Sequence, residues 1–106
     1  MDYVNSIFRT TYYSNYGSTI MDNEVNIDIL LFARAREIVG KNFDHLKLTT
    51  PIDYKTLFET IVRKYSLQEI QKVIVLSING EFVSTQDIFH LNEHDEIAVI
   101  PPLSGG

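Results

Sequence analysis

The chain has 106 residues, 44% of them hydrophobic, and its 14 acidic against 9 basic residues leave a formal net charge of −5. That length fits a single domain, and an acidic balance without any Lys/Arg cluster excludes the electrostatic footprint of a nucleic-acid binder. Cysteine is absent, which removes disulfides, thiolate zinc ligands and cysteine nucleophiles together, and no apolar run approaches the roughly 20 residues of a membrane span.

These features suit a soluble protein of a reducing compartment, and the cytosol is the expected location. Residues 1–24, MDYVNSIFRTTYYSNYGSTIMDNE, are rich in Tyr, Ser, Thr and Asn and hold no sustained period. They read as a disordered extension, lacking both the basic start with apolar stretch of a secretory signal and the several arginines of a mitochondrial presequence. Met21 is an alternative start.

From Val25 the pattern sharpens. In VNIDILLFA, Val25, Ile27, Ile29 and Leu31 share one face while Leu30 and Phe32 occupy the other, the pattern of a central strand. RAREIVG follows as a short helix stopped by Gly40, a residue suited to the left-handed helix end. FDHLKL is a second strand with Leu46 and Leu48 inward and Lys47 outward, pairing with the first as a hairpin. Asp53 is placed to cap the main helix. Along that helix Tyr54, Leu57, Phe58, Ile61, Val62 and Tyr65 fall on one face at three- and four-residue steps. LQEI makes a shorter turn, VIVLSI a third strand, and Asn79-Gly80 a type I′ hairpin into the short strand EFV. EIAVI, residues 96–100, closes the order ββ, α, ββ, β. One long helix over a mixed sheet is a β-grasp arrangement of the α+β class, with residues 25–106 as its domain.

A catalytic set inside this domain is hard to find. His90 and His94 stand at ligand spacing but flank LNE in a turn, so no metal site is expected. Asp95 and Glu96 are adjacent and point to opposite sides of a strand. The five glycines, at positions 17, 40, 80, 105 and 106, match neither a Walker nor a Rossmann pattern. Arg34, Arg36 and Glu37 read as a solvated helical face, and Phe58 and Tyr65 as packing residues. His45 reads as a surface histidine.

The last six residues, PPLSGG, are more informative. Pro101 and Pro102 fix φ and favour an extended path away from the sheet, Leu103 offers a hydrophobic anchor, and Ser104 completes the spacer. Gly105 and Gly106 lack Cβ atoms and can thread a channel too narrow for other residues. Such a tail suits presentation of the Gly106 carboxylate to another protein's active site, where attack on ATP would convert it to an acyl-adenylate open to a nucleophile.

With LLFARAREIVG at 30–40 and DEIAVIPPLSGG at 95–106, residues 25–106 resemble the small subunits of molybdopterin synthase, the MoaD-type sulfur carriers of the wider ubiquitin-like and ThiS family. Gly-Gly alone is shared across that wider family; Pro-Pro-x-Ser/Thr-Gly-Gly after Asp-Glu-x-Ala points to the molybdopterin branch. The resemblance implies a ubiquitin-like β-grasp fold and no bound cofactor. It implies an activating adenylyltransferase/sulfurtransferase of the ubiquitin-activating type, which consumes ATP to adenylate Gly106 and converts it to a thiocarboxylate. It also implies a large catalytic subunit, in a heterotetramer of two small and two large chains, that passes the sulfur to a cyclic pterin phosphate. The carrier itself would be non-catalytic, without nucleic-acid or membrane partners. Phe32 and Ile100 are candidates for the contact surface shared by both partners, and core packing reads each equally well. The family commonly has Gly where His94 stands, and residues 1–24 have no counterpart in its pattern. A ubiquitin-like modifier or a carrier for tRNA thiolation would use the same terminus to another end. A β-grasp binding module without terminal chemistry is a third reading.

Overall fold

The computed structural model describes residues 23–102; the expectations for residues 1–22 and for Leu103, Ser104, Gly105 and Gly106 lie outside the described residues. The elements run β1 (Asn23–Leu31), α1 (Ala33–Val39), β2 (Phe43–Thr50), β3 (Ile52–Asp53), α2 (Tyr54–Tyr65), a 3-10 turn at Gln68–Ile70, β4 (Val75–Ile78), β5 (Glu81–Phe82), β6 (Ile88–Phe89) and β7 (Glu96–Ile100). Five strands form one sheet in the order β2-β1-β7-β4-β5, and β3 pairs with β6 in a separate two-stranded piece. Only the β1–β7 pair of the large sheet is parallel. The sheet is therefore mixed and covered by one main helix, the expected α+β β-grasp arrangement.

Period-two alternation explains which side faces the helix. Ile27, Ile29 and Leu31 of β1, Leu76 of β4, and Ile97 and Val99 of β7 are at most 2% exposed. They meet Leu57, Ile61, Val62 and Tyr65, the inward stripe of α2. Each such aliphatic side chain, once fully buried, contributes about 1.5–3 kcal/mol through area removed from water. Asp53 caps α2, its Oδ1 accepting from the Thr56 N–H at 2.8 Å, and this contact holds its carboxyl below the usual range. Tyr65 closes the helix by donating its hydroxyl to Asp44 Oδ2 at 2.7 Å, tying α2 to β2. Burial raises the Tyr65 hydroxyl's pKa above its usual value, with the Asp44 contact adding to the shift. The same bond lowers that of Asp44.

Several local details differ from the sequence reading. β1 begins at Asn23, two residues earlier than Val25, because Asn23 and Glu24 pair with Thr50 and Thr49. It ends at Leu31, since Ala33 takes a left-handed φ of 50° that turns the chain straight into α1. The strands β3 and β6 have no counterpart in the pattern. They are joined to the end of β2 by Thr50, whose Oγ1 accepts from the Leu91 N–H at 2.7 Å. Arg34 is solvated as expected, its side chain 53% exposed, and it makes surface ion pairs with Glu37 at 3.2 Å and with Glu69 of the 3-10 turn at 2.9 Å. The remaining turn assignments hold. Gly40 has φ 87° and donates its N–H to the Arg36 carbonyl at 2.8 Å. Asn79 and Gly80, at φ 51° and 86°, form the left-handed pair that a type I′ hairpin needs.

Candidate docking face and root of the tail

β7 is the middle strand of five, bounded by β1 and β4, so the chain leaves the domain from the centre of the sheet. Pro101, directly after it, is buried, and Pro102 is exposed. Pro101 thus roots the tail in the domain, and Pro102 is the first residue free of it.

Among the described residues no helix or strand packs over the sheet face opposite α2, and the strand register dictates what that face displays. Leu30 is paired with Phe43 on one side and Ala98 on the other; Ala98 with Ser77; Ser77 with Phe82. One row, Phe43–Leu30–Ala98–Ser77–Phe82, therefore crosses all five strands. The next row toward the tail holds Ile100 opposite Val75. Phe32 joins that end, its N–H donating to the Val99 carbonyl at 3.2 Å. The two sequence-predicted contact residues are thereby brought together beside the tail root. Phe32 is 42% exposed and Ile100 half-buried, so Phe32 belongs to the open face more than to the core.

The row has a shape as well as a polarity. Ala98 and Ser77, at its middle, are 8% and 6% exposed, whereas Phe82 at one edge is 74% exposed and Phe43 at the other 42%. Tall side chains thus flank a low floor of small side chains, Ala98 and Ser77. Phe43, Val75 and Phe82 were not singled out from the sequence. Phe43 sits out of phase with the buried residues of β2, but the row these residues form depends on cross-strand register, which one strand's pattern does not reveal.

One row further from the tail the face turns polar. Asp28 lies between His45 and Glu96 in register. His45 Nδ1 is 3.1 Å from Asp28 Oδ1, and His94 Nδ1 is 3.7 Å from the same oxygen. His94 stands in a turn at φ 66°, the left-handed region, and its N–H donates to the Asn26 carbonyl at 2.7 Å. Asp95, beside it, accepts from Asn79 Nδ2 and from the Asn92 N–H, so this carboxylate is occupied in holding the turn. Among the described residues no group of three or more His, Cys, Asp or Glu is arranged to hold a metal ion, and no helix is long and apolar enough to cross a membrane.

A mixed five-stranded sheet covered on one face by one main helix, with a tail rooted at its central strand, defines a ubiquitin-like β-grasp protein. The solved structures agree on that fold. Small archaeal modifier protein 1 from Haloferax volcanii superposes with a TM-score of 0.60 at 18% identity, over 74% of this chain and 99% of that one. In the protein–protein complex of subunits 1 and 2 of the molybdopterin-converting factor from Helicobacter pylori, a chain matches with a TM-score of 0.56 at 21% identity, over 77% of this chain and 100% of that one. The chain belongs to the ThiS family, whose model matches residues 29–106. It is 40% identical over 83 residues to the molybdopterin synthase sulfur carrier subunit of Caenorhabditis elegans, covering 77% of this chain and 99% of the relative. The subunit of the same name from Arabidopsis thaliana is 39% identical over 85 residues, covering 79% and 86%.

Proposed function

We propose that the chain is the sulfur-carrier subunit of a molybdopterin synthase, working in molybdenum cofactor biosynthesis. The single observation that carries this reading is the near full-length match to sulfur carrier subunits of that enzyme, joined to the Pro-Pro-Leu-Ser-Gly-Gly ending at residues 101–106. The Gly106 carboxylate is the working group. As a carboxylate it is a poor electrophile; attack on the α-phosphate of ATP releases pyrophosphate and leaves an acyl-adenylate. A persulfide sulfur displaces AMP, and cleavage of the S–S bond by a thiol leaves the thiocarboxylate. That sulfur is then delivered to a cyclic pterin phosphate to build a dithiolene. Two sulfurs per product call for two charged carriers, hence two small and two large subunits.

The domain's own contribution is placement. The open face docks on the partner, and Pro101 fixes where the tail begins. The five residues from Pro102 to Gly106 span at most about 17 Å when extended, so the partner's reacting group lies within that distance of the sheet end. Leu103 and Ser104 set the path, and Gly105 passes the narrowest point. ATP is consumed by the activating adenylyltransferase and is not held here. An absence of thiols in the carrier prevents it from capturing its own activated terminus. The cytosol is the compartment we assign.

The test is an intact mass after incubation with ATP, an activating enzyme and a sulfur donor. A gain matching replacement of one oxygen by sulfur, localised to Gly106, is expected, and deletion of Gly106 abolishes it while leaving the folded domain unchanged. A deleted variant that still gains sulfur overturns the scheme. Transfer to the pterin by the large subunit then separates this destination from tRNA thiolation, and high-molecular-weight conjugates in cell extract would instead mark a protein modifier.

A further inference from the structure

The docking reading accounts for the apolar rows of the open face but leaves Asp28, His45 and His94 without a role. We infer that this polar cluster lies inside the docking footprint, and that covering it draws protons onto His45 and His94. The inference rests on the reading that a large subunit docks on the open face.

Three observations support it. First, the cluster is in contact with the apolar row. The His45 ring meets the Phe43 ring edge-on, with centroids 4.9 Å apart, so a partner that covers Phe43 also reaches His45. Secondly, the distances are short compared with an interface. Residues two apart along a strand are separated by about 6.7 Å, which puts the Asp28 row about 7 Å beyond the Leu30 row. A standard interface covers about 800 Å² per partner, a disc of about 16 Å radius, so one centred on Ala98 includes Asp28. Thirdly, acidic neighbours outnumber basic ones around Asp28. Asp28 has Glu96 as its neighbour on β7. Glu93, from the turn, accepts from Asn26 one row further on, and Lys47 stands in that outer row, abreast of Asn26.

Asp28 is 21% exposed in the free domain, so water still reaches its carboxylate. Covering removes that water, and a carboxylate buried without a counter-charge is costly. The groups of this chain already at that oxygen are the two imidazoles, at 3.1 and 3.7 Å; Lys47 stands a row further out. Imidazole is the side chain that changes charge around neutrality. Protonation of either ring turns a polar contact into an ion pair. Docking then takes up protons, so affinity rises as pH falls toward 6 and weakens as pH rises.

The experiment is calorimetric titration of the full chain into the large subunit near pH 6 and pH 8, in two buffers of different ionisation enthalpy. For the wild-type chain we expect binding about tenfold tighter at the lower pH, within the roughly tenfold per pH unit that one fully linked proton can supply, with a buffer-dependent heat reporting proton uptake. The double variant H45Q/H94N loses both signatures, asparagine being chosen at position 94 because it tolerates a left-handed φ. D28N, which keeps both histidines and removes the buried charge, loses them too and guards against a folding defect in the first variant. A complex with the same affinity at both pH values overturns the inference, as does a pH dependence that persists in both variants. Failure of the docking reading looks different: no complex forms at either pH, and the inference falls with it.

Discussion

The two faces of the large sheet are built from the same strands, by alternate residues, yet they have separate tasks. The face under α2 presents Ile27, Ile29, Leu31, Ile97 and Val99, each at most 1% exposed. The opposite face presents Phe43, Leu30, Ala98, Ser77 and Phe82 with nothing from the described chain above them. In β7 the division runs residue by residue, Ile97 and Val99 toward the helix, Ala98 and Ile100 away from it. Buried packing is thus concentrated on one side, and the proposed docking surface lies on the other, separated by the thickness of one sheet. A substitution should disturb one task while sparing the other.

The largest effect should come from the covered side. Ile97→Ala opens a cavity at a fully buried site and is expected to cost about 2–5 kcal/mol in urea unfolding. A loss below 1 kcal/mol would blur the distinction between faces. On the open side, Phe82→Ala should leave the unfolding midpoint nearly unchanged, because the ring is 74% exposed. It should weaken binding to the large subunit by about 1–2 kcal/mol, as truncation of an aromatic anchor does. Binding at wild-type strength would remove Phe82 from the footprint.

Smaller effects sharpen the covered side further. Tyr65→Phe deletes the hydroxyl that donates to Asp44 and should cost about 1–2 kcal/mol at neutral pH. Asp44 has a folded pKa below its usual value, so its contribution is present above the ordinary carboxylate range and lost as pH falls through the folded value. The wild-type advantage over the Phe variant should therefore shrink in acid, as read from unfolding midpoints between about pH 7 and pH 2. An advantage that stays constant over that range would mean that the bond is not charge-assisted. Asp53→Ala removes the α2 cap and should cost about 1 kcal/mol, without any change in docking.

How much of this could be read from the sequence follows from the range of the forces involved. α2 was legible because its stripe from Tyr54 to Tyr65 repeats over three turns and its cap is three residues from its target. β7 was legible because five apolar-rich residues sit between a turn and two prolines. The two-residue strands β3 and β6 are too short to carry a period and exist through Thr50, whose partners Phe89 and Leu91 lie about 40 positions away. The cluster of Asp28, His45 and His94 comes from three separate elements, so no spacing along the chain announces it. In the sequence His94 reads as a turn histidine spaced from His90 and as the residue standing where the family has Gly; its left-handed φ explains why that position favours Gly. The tail motif, in contrast, is pure sequence: its chemistry depends on residue type and order, and Leu103–Gly106 lie outside the described residues.

The central place of β7 also bears on how the molecule is made. β1 leaves the ribosome early and β4 much later, and neither pairs with the other in the finished sheet; both pair with β7. Within the large sheet only residues 96–100 join the two halves; the β3–β6 pair and the Thr50–Leu91 bond link them outside it. A chain arrested before that point lacks the tail and also the strand that closes the fold, so quality control would meet an open sheet. Premature termination upstream of β7 then yields substrates for proteolysis, not folded decoys that occupy the large subunit with no terminus to deliver.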